Sequence, residues 1–239
     1  MNLKTERLEE IEYFDKPKGK EIRKHYQELY VLGFLRIIDN EKYNNVVLKD
    51  RPDLQGDSIG VEVTLIDSER DRQNQGEFEK YIEKPNEASK IIIKNNGAEI
   101  KEYNFNNHII RSLHSGGGWN PDSDKKIIEA AIVKKIKKAS KFEGMFNELD
   151  LALLRTELTV SGWEKDIVKW IKEIVQSNPN KFKYIFVLYS SSCLVFDAAG
   201  NLLEKKDISI FDCRKLHVLA GETAEGRISL NDVEWNKTF

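Results

Sequence analysis

The sequence predicts an α/β fold with a single domain, in which helices flank a mixed central β-sheet. Two observations favour this class. Segments whose apolar residues recur at helical spacing alternate along the chain with short apolar segments typical of strands, and no repeat or linker-like stretch interrupts them. The chain has 239 residues, of which about 40% are apolar, so one ordinary domain with a sizeable core is expected. We assign residues 1–239 to this domain, with an insertion at about 67–124.

The elements before the insertion are one helix and two strands. Apolar residues from Ile22 to Ile37 recur at helical spacing and predict a helix over 19–38. Residues 45–54 and 59–66 are typical of strands, and the polar segment between them predicts a turn, so the two strands form a hairpin.

The insertion is predicted to carry a second hairpin. Its first part, 67–86, is highly charged. Residues 89–105 contain Asn96-Gly97 between two apolar segments, which is typical of a β-hairpin turn. Residues 106–124 include three consecutive glycines and are predicted to form a mobile loop.

The elements after the insertion alternate between helices and strands. Helical periodicity predicts helices over 125–142 and 162–176, and a buried-type strand is expected over 149–154. Further strands are predicted over 182–189, 192–197 and 202–208. The chain after Gly221 is weakly patterned.

The charge balance excludes a uniformly basic protein that coats nucleic acid. The chain has 38 Lys and Arg against 40 Asp and Glu, for a net charge of -2. The charge is nevertheless uneven, because seven lysines but only two acids lie between Asp124 and Lys141. A local basic surface is therefore expected on the predicted helix over 125–142.

The chain has the features of a soluble, cytoplasmic protein with no membrane partner. The N-terminal segment carries charge throughout, and no apolar run approaches the length of a membrane span. Only Cys193 and Cys213 are present, which excludes a disulfide framework and argues against a cysteine-based zinc site.

Two acids are expected to meet on one face of the first strand pair. Because side chains alternate along a strand, Val61 and Val63 point into the core, whereas Glu62 and Thr64 point together to the other face. If Asp53 lies on the paired strand, its carboxylate sits beside that of Glu62. A hard divalent cation, Mg²⁺ or Mn²⁺, would compensate two such carboxylates.

Pro52-Asp53 followed by Glu62-Val63-Thr64 resembles the motif of the PD-(D/E)XK superfamily of restriction-endonuclease-like nucleases. The resemblance covers about residues 20–66. It implies a restriction-endonuclease-like core and a Mg²⁺-dependent nuclease that acts on DNA or RNA, with Asp53 and Glu62 as metal ligands. It also implies an acid from the preceding helix, either Glu28 or Glu21, as a further ligand.

The chain departs from the family motif at Thr64, which stands where the family has a lysine. A neutral hydroxyl cannot supply positive charge to the transition state. Lys135 interrupts the apolar stripe of the predicted helix over 125–142 between Ile132 and Ala139, so it faces the core. Because some members of the superfamily carry this lysine on the following helix, Lys135 is a candidate replacement.

Other residues are assigned supporting roles. Thr64 and Gln55 would be polar neighbours that position water. The residues expected to touch the phosphates of nucleic acid are Lys134, Lys138, Arg70 and Arg72.

Several alternatives stay open at this level. Asp53 and Glu62 are also compatible with solvent-facing acids of an ordinary hairpin, and Lys135 with a boundary lysine whose charge reaches water. The protein is then either a degenerate nuclease fold that binds nucleic acid or protein, or an unrelated α/β interaction module. Trp163 and Trp170, seven residues apart on one helix, indicate core packing or the seam of a homodimer.

Overall fold

A seven-stranded mixed sheet forms the centre of the protein in a computed structural model. The structure describes residues 19–68, 72, 99–105, 108–114, 120–156, 163–189 and 191–239. The chain divides into two compact units. One consists of Met1–Ile66 with Glu129–Phe239, and the other is Asp67–Ile128.

The described helices and strands follow in this chain order. The elements before the second unit are α1 (Lys20–Ile38), α2 (Asn40–Tyr43), β1 (Val47–Leu48), β2 (Leu54–Gln55) and β3 (Ile59–Leu65). Next are β4 (Glu99–Phe105), β5 (His108–His114) and α3 (Pro121–Ala139). The remainder are β6 (Glu148–Arg155), α4 (Trp163–Ser177), β7 (Tyr184–Tyr189), β8 (Ser192–Asp197), β9 (Leu202–Asp207), α5 (Ile210–Ala224) and α6 (Trp235–Thr238), with short 3-10 turns at Ser140–Phe142 and Leu230–Asp232.

The strand order of the large sheet is β1-β2-β3-β6-β7-β8-β9. The three central strands β3, β6 and β7 are parallel, whereas the pairs at both edges are antiparallel. The prediction of an α/β fold with a mixed central sheet is therefore confirmed. Parallel strands are buried on both faces, which explains the continuous apolar runs of β6 and β7.

Helices cover both faces of this sheet. On one face, α1 and α5 pack against alternate residues of the central strands, among them Val61, Val63, Ala152 and Leu154. The close approach of these helices requires Gly33, because a Cβ atom there would collide with Leu216. Helices α3 and α4 cover the opposite face. Lys135 of α3 donates a hydrogen bond to Glu62 of β3, and Glu164 of α4 accepts one from Lys205 of β9.

The second unit contains the antiparallel pair β4–β5. Ile100 and Tyr103 lie in β4 and pair with Leu113 and Ile110 of β5. The predicted mobile loop over 106–124 is therefore wrong, since it contains β5 and the start of α3. The cross-strand pairing of apolar residues emerges only from the register. Residues 89–98 and the three glycines at 116–118 lie outside the described residues.

Two helices also differ from the sequence prediction. Helix α3 begins at Pro121 rather than at 125, because Asn120 Oδ1 accepts hydrogen bonds from the backbone N–H groups of Asp122 and Ser123. Helix α5 was not predicted, although Ser209 caps it by accepting from the N–H group of Asp212. In the described part of the chain, no helix has the length and apolar character needed to cross a bilayer.

Candidate functional site

One lysine ammonium joins the two acids that the sequence singles out. Lys135 Nζ donates to Asp53 Oδ2 at 3.1 Å and to Glu62 Oε2 at 2.5 Å. The two carboxylates, which belong to different segments of the sheet, therefore converge on one cationic group. Lys135 is only 9% exposed, so its ammonium is paired inside the protein rather than extended into water.

Glu62 is the most enclosed member of the site. It is fully buried at the middle of β3, on the face opposite to Val61 and Val63. Lys138, one turn after Lys135 on α3, donates to both Glu62 oxygens at 2.8 and 2.9 Å. Two lysines thus compensate the charge of this carboxylate, which would otherwise be very costly to bury.

Asp53 is held in place by the backbone of the neighbouring strand. It lies directly before β2, and its Oδ2 atom accepts a hydrogen bond from Val63 N at 2.8 Å. The preceding Pro52 fits against β3 because residue 60 is a glycine. A Cβ atom at Gly60 would lie only 2.7 Å from Pro52 Cγ. The small residue in β3 therefore helps to fix the position of the Asp53 carboxylate.

Helix α1 adds a third acid and a third lysine. Lys24 Nζ lies 3.2 Å from Glu28 Oε1 and 3.9 Å from Asp53 Oδ1. Glu28 is buried, and its Oε2 atom has no hydrogen-bond partner. Burial, followed by the negative charge of Asp53, raises the pKa of Glu28 to about 7, against the opposing effect of Lys24 and Lys135.

These six residues form what we call the acid–lysine cluster. It consists of Asp53, Glu62, Glu28, Lys135, Lys138 and Lys24. Of these, only Lys24 had no place in the sequence analysis. The signal that would have indicated it is its i, i+4 spacing from Glu28 on α1.

The remaining predicted site residues lie elsewhere or have other contacts. Thr64 is half-buried in β3, and Gln55 donates to the carbonyl oxygen of Pro52 at 3.1 Å. Lys134 is exposed on α3. Glu21 is exposed on α1 and has no contact with the cluster among those described, in contrast to Glu28.

The two arginines proposed for phosphate binding belong in sequence to the second unit. Arg72 is exposed and belongs to the second unit. Arg70 lies outside the described residues. Trp163 and Trp170 are both buried within the chain, as expected for core residues.

A second buried acid, Asp150 of β6, provides a contrast with Glu28. Its Oδ2 atom accepts from Tyr43 Oη at 2.9 Å and from Lys42 Nζ at 3.1 Å, and its Oδ1 atom accepts from Tyr184 N at 3.1 Å. Burial raises the pKa of Asp150 to about 6. Both oxygens have partners, so this network is structural, whereas Glu28 keeps one buried oxygen without any.

The chemistry of the donor set suits a hard cation. Carboxylate oxygens are the ligands that Mg²⁺ and Mn²⁺ prefer, and the orphan Oε2 atom of Glu28 is such a donor. Within the described ranges, however, no group of three or more His, Cys, Asp and Glu side chains is arranged to hold a metal. The lysines lie between the acids and already offset part of their charge.

Comparison of the chain with protein-family models, with curated proteins and with solved structures finds no match. The fold and the site therefore define the class of protein by themselves. It is an α/β protein with a mixed sheet, two helices on each face, and a buried cluster of acids and lysines beside strand β3.

Proposed function

We propose that this protein is a nuclease that depends on Mg²⁺ or Mn²⁺ and cleaves phosphodiester bonds of DNA or RNA at the acid–lysine cluster. One observation carries the proposal: Asp53 and Glu62, which match the acids of the PD-(D/E)XK motif, converge on Lys135. An isolated hairpin with solvent-facing acids would not bury both carboxylates against a lysine from a helix. Buried charges of both signs that converge in one place mark a candidate functional site.

The residues of the cluster divide by chemistry into two groups. Carboxylates of the cluster would hold the cation, which would supply Lewis-acid activation of the scissile phosphate. Lys135 supplies positive charge where the family motif has its lysine and this chain has Thr64.

The lysines also provide the binding surface for the phosphate backbone. The Lys138 side chain is 32% exposed and reaches from Glu62 toward solvent, while Lys134 is exposed on the same helix. Point charges on a helix bind phosphates without reading base sequence. This surface therefore favours binding to the nucleic-acid backbone.

A second function is favoured by the saturation of Glu62. Both of its oxygens already bind lysines, so its charge is compensated without any metal. This is also expected of a nuclease fold that no longer cleaves and binds nucleic acid through its lysines, because such a protein needs no metal to compensate Glu62. The segments that would serve an unrelated interaction module, Asn95–Gly97 and 116–118, lie outside the described residues.

A cleavage assay separates the two functions. The full chain is incubated with plasmid, single-stranded DNA and RNA in Mg²⁺, in Mn²⁺ or in EDTA. The nuclease proposal expects metal-dependent cutting that Asp53→Asn and Glu62→Gln abolish, while Glu21→Gln, an exposed acid of α1, leaves it unchanged. Nucleic-acid binding without cutting in either metal would overturn the proposal and favour the degenerate fold.

A further inference from the structure

The acid–lysine cluster has two sides that differ in how their carboxylate oxygens are used. On the side of α3, Glu62 Oε1, Glu62 Oε2 and Asp53 Oδ2 all bind lysine ammonium groups at 2.5 to 3.1 Å. Asp53 Oδ2 also accepts the N–H group of Val63. A cation placed between Asp53 and Glu62 would have to displace the buried ammonium of Lys135.

On the side of α1, the carboxylate oxygens have few hydrogen-bond or ion-pair partners. Among the described residues, Asp53 Oδ1 contacts only Lys24, at 3.9 Å, and Glu28 Oε2 has no hydrogen-bond partner although the Glu28 side chain is only 4% exposed. An unpartnered carboxylate oxygen is costly to bury. The two carboxylates face the same ammonium group, that of Lys24, so they are near enough to share one positive charge.

The two lysines also differ in how easily they can leave. The Lys24 side chain is 53% exposed, whereas that of Lys135 is 11% exposed. An ion pair of an exposed lysine contributes little, since water and salt screen it. Displacing Lys24 from Asp53 and Glu28 therefore costs far less than displacing Lys135 from Asp53 and Glu62.

We infer that the divalent cation binds between the carboxylates of Asp53 and Glu28, in place of the Lys24 ammonium. Glu62 is then not a metal ligand but a positioning residue, which holds Lys135 and Lys138 where the phosphate is bound. This assignment rests on the proposed function and specifies which of the three acids bind the cation. It gives each acid a separate task, with Asp53 common to the metal side and the lysine side.

The test is a titration of the purified full chain with Mn²⁺, followed by the loss of the electron paramagnetic resonance signal of the free ion, with Mg²⁺ as competitor. Glu28→Gln is expected to weaken Mn²⁺ binding by about tenfold or more, since even changes behind a metal ligand cost that much. The control Glu21→Gln is expected to leave the Kd within about twofold, and Glu62→Gln is expected to weaken binding less than Glu28→Gln does, because Glu62 reaches the ion only through Lys135 and Asp53. Cleavage is nevertheless lost in Glu62→Gln.

A gain-of-binding variant provides a second, independent test of the inference. Lys24→Met removes the competing ammonium from a half-exposed position and is expected to tighten Mn²⁺ binding by about threefold to fivefold, the equivalent of one exposed ion pair. Unchanged or weaker binding in Lys24→Met would contradict the inference.

The failures of the inference and of the proposed function are distinguishable. If Glu62→Gln abolishes Mn²⁺ binding and Glu28→Gln does not, the assignment of ligands is wrong while the nuclease proposal stands. If the unmodified chain neither binds Mn²⁺ nor cleaves any substrate, both are wrong.

Discussion

The ammonium of Lys135 lies 2.5 Å from the Oε2 atom of Glu62 and joins helix α3 to strand β3. Both side chains are buried, and they lie 73 positions apart in the chain. An ion pair taken out of water is not in itself strongly stabilising, because desolvation offsets most of the attraction. Removing one partner alone is strongly destabilising, however, since the other charge is left buried.

The first prediction concerns this asymmetry. Lys135→Met is expected to lower the free energy of unfolding by about 3 kcal/mol, because Glu62 keeps only Lys138 as a compensating charge. Urea denaturation measures the change. Lys134→Met, at the exposed neighbouring position, is the matched control and is expected to change stability by less than about 0.5 kcal/mol.

The double variant Lys135→Met with Glu62→Gln extends the same test. With both charges removed, part of the lost stability is expected to return, since neither of these two side chains is then a buried unpaired ion, although Asp53 still lacks the ammonium of Lys135. If the double variant loses the sum of the stabilities lost in the two single variants, the pair does not interact as the structure describes.

Sequence patterns located the members of the site but not their contacts. Strand alternation placed Glu62 opposite to Val61, and the interrupted apolar stripe of α3 placed Lys135 toward the interior. Each inference uses a periodicity of one element. The bond from Lys135 to Asp53 joins residues 82 positions apart, so it depends on how the helix is set against the sheet, which no local pattern encodes.

The same limit applies to the fold. The predicted hairpin of strands 45–54 and 59–66 is local in sequence and agrees in part with the structure, in which the first strand is divided into β1 and β2 and β2 pairs with β3. Strands β3 and β6, which pair in parallel, are separated in the sequence by the entire second unit. The register of this pair follows from packing on both faces of the sheet. Strand β4 pairs with β5, which no sequence pattern indicated, whereas the predicted turn at Asn96-Gly97 lies outside the described residues.

The second prediction concerns Gly60, where β3 meets Pro52. Gly60→Ala would bring a Cβ atom within 2.7 Å of Pro52 Cγ and 3.0 Å of Leu149 Cδ1, and is expected to destabilise the protein by about 1–3 kcal/mol through overpacking. The cleavage rate is expected to fall by more than the loss of folded protein explains, because a shift of Pro52 also displaces the carboxylate of the adjacent Asp53. Thermal unfolding and the plasmid assay measure the two effects.

The matched control for Gly60 is Gly56→Ala in the same hairpin. The nearest atom to a Cβ there is Val46 Cγ2 at 3.1 Å, so the cost is expected to be smaller. If both variants lose the same stability and the same activity, the contact between Gly60 and Pro52 does not position Asp53.

The third prediction concerns the pH dependence of stability that Glu28 introduces. Its pKa is raised from 4.5 to about 7, chiefly by burial and then by Asp53, with Lys24 and Lys135 opposing the shift. The folded state therefore binds a proton more tightly than the unfolded state, and this contribution to stability is complete below pH 4.5 and is lost as the pH rises through 7. The variant Glu28→Gln keeps this contribution at every pH, because glutamine does not ionise.

Measured in EDTA, Glu28→Gln is accordingly expected to gain stability relative to the unmodified chain between pH 5 and pH 8, by on the order of 2 kcal/mol. Urea denaturation across this pH range provides the comparison, and the exposed Glu21→Gln is the control. A difference between Glu28→Gln and the unmodified chain that does not change with pH would mean that Glu28 ionises normally in the folded protein.

The last prediction tests whether Lys135 performs the task that the resemblance to the PD-(D/E)XK motif assigns to a lysine at position 64. Thr64 and Glu62 point to the same face of β3, so a lysine at position 64 would bring its charge to the same carboxylate from the strand instead of the helix. Under the proposed function, Lys135→Met is expected to lose cleavage, and Thr64→Lys in that background is expected to restore a measurable part of it. Thr64→Met in that background is the matched control, because it adds a side chain of similar length without charge. Equal activity in the Lys and Met variants at position 64 would show that the requirement is for an ammonium group on α3, held by Asp53 as well as Glu62, and not merely for positive charge beside the strand.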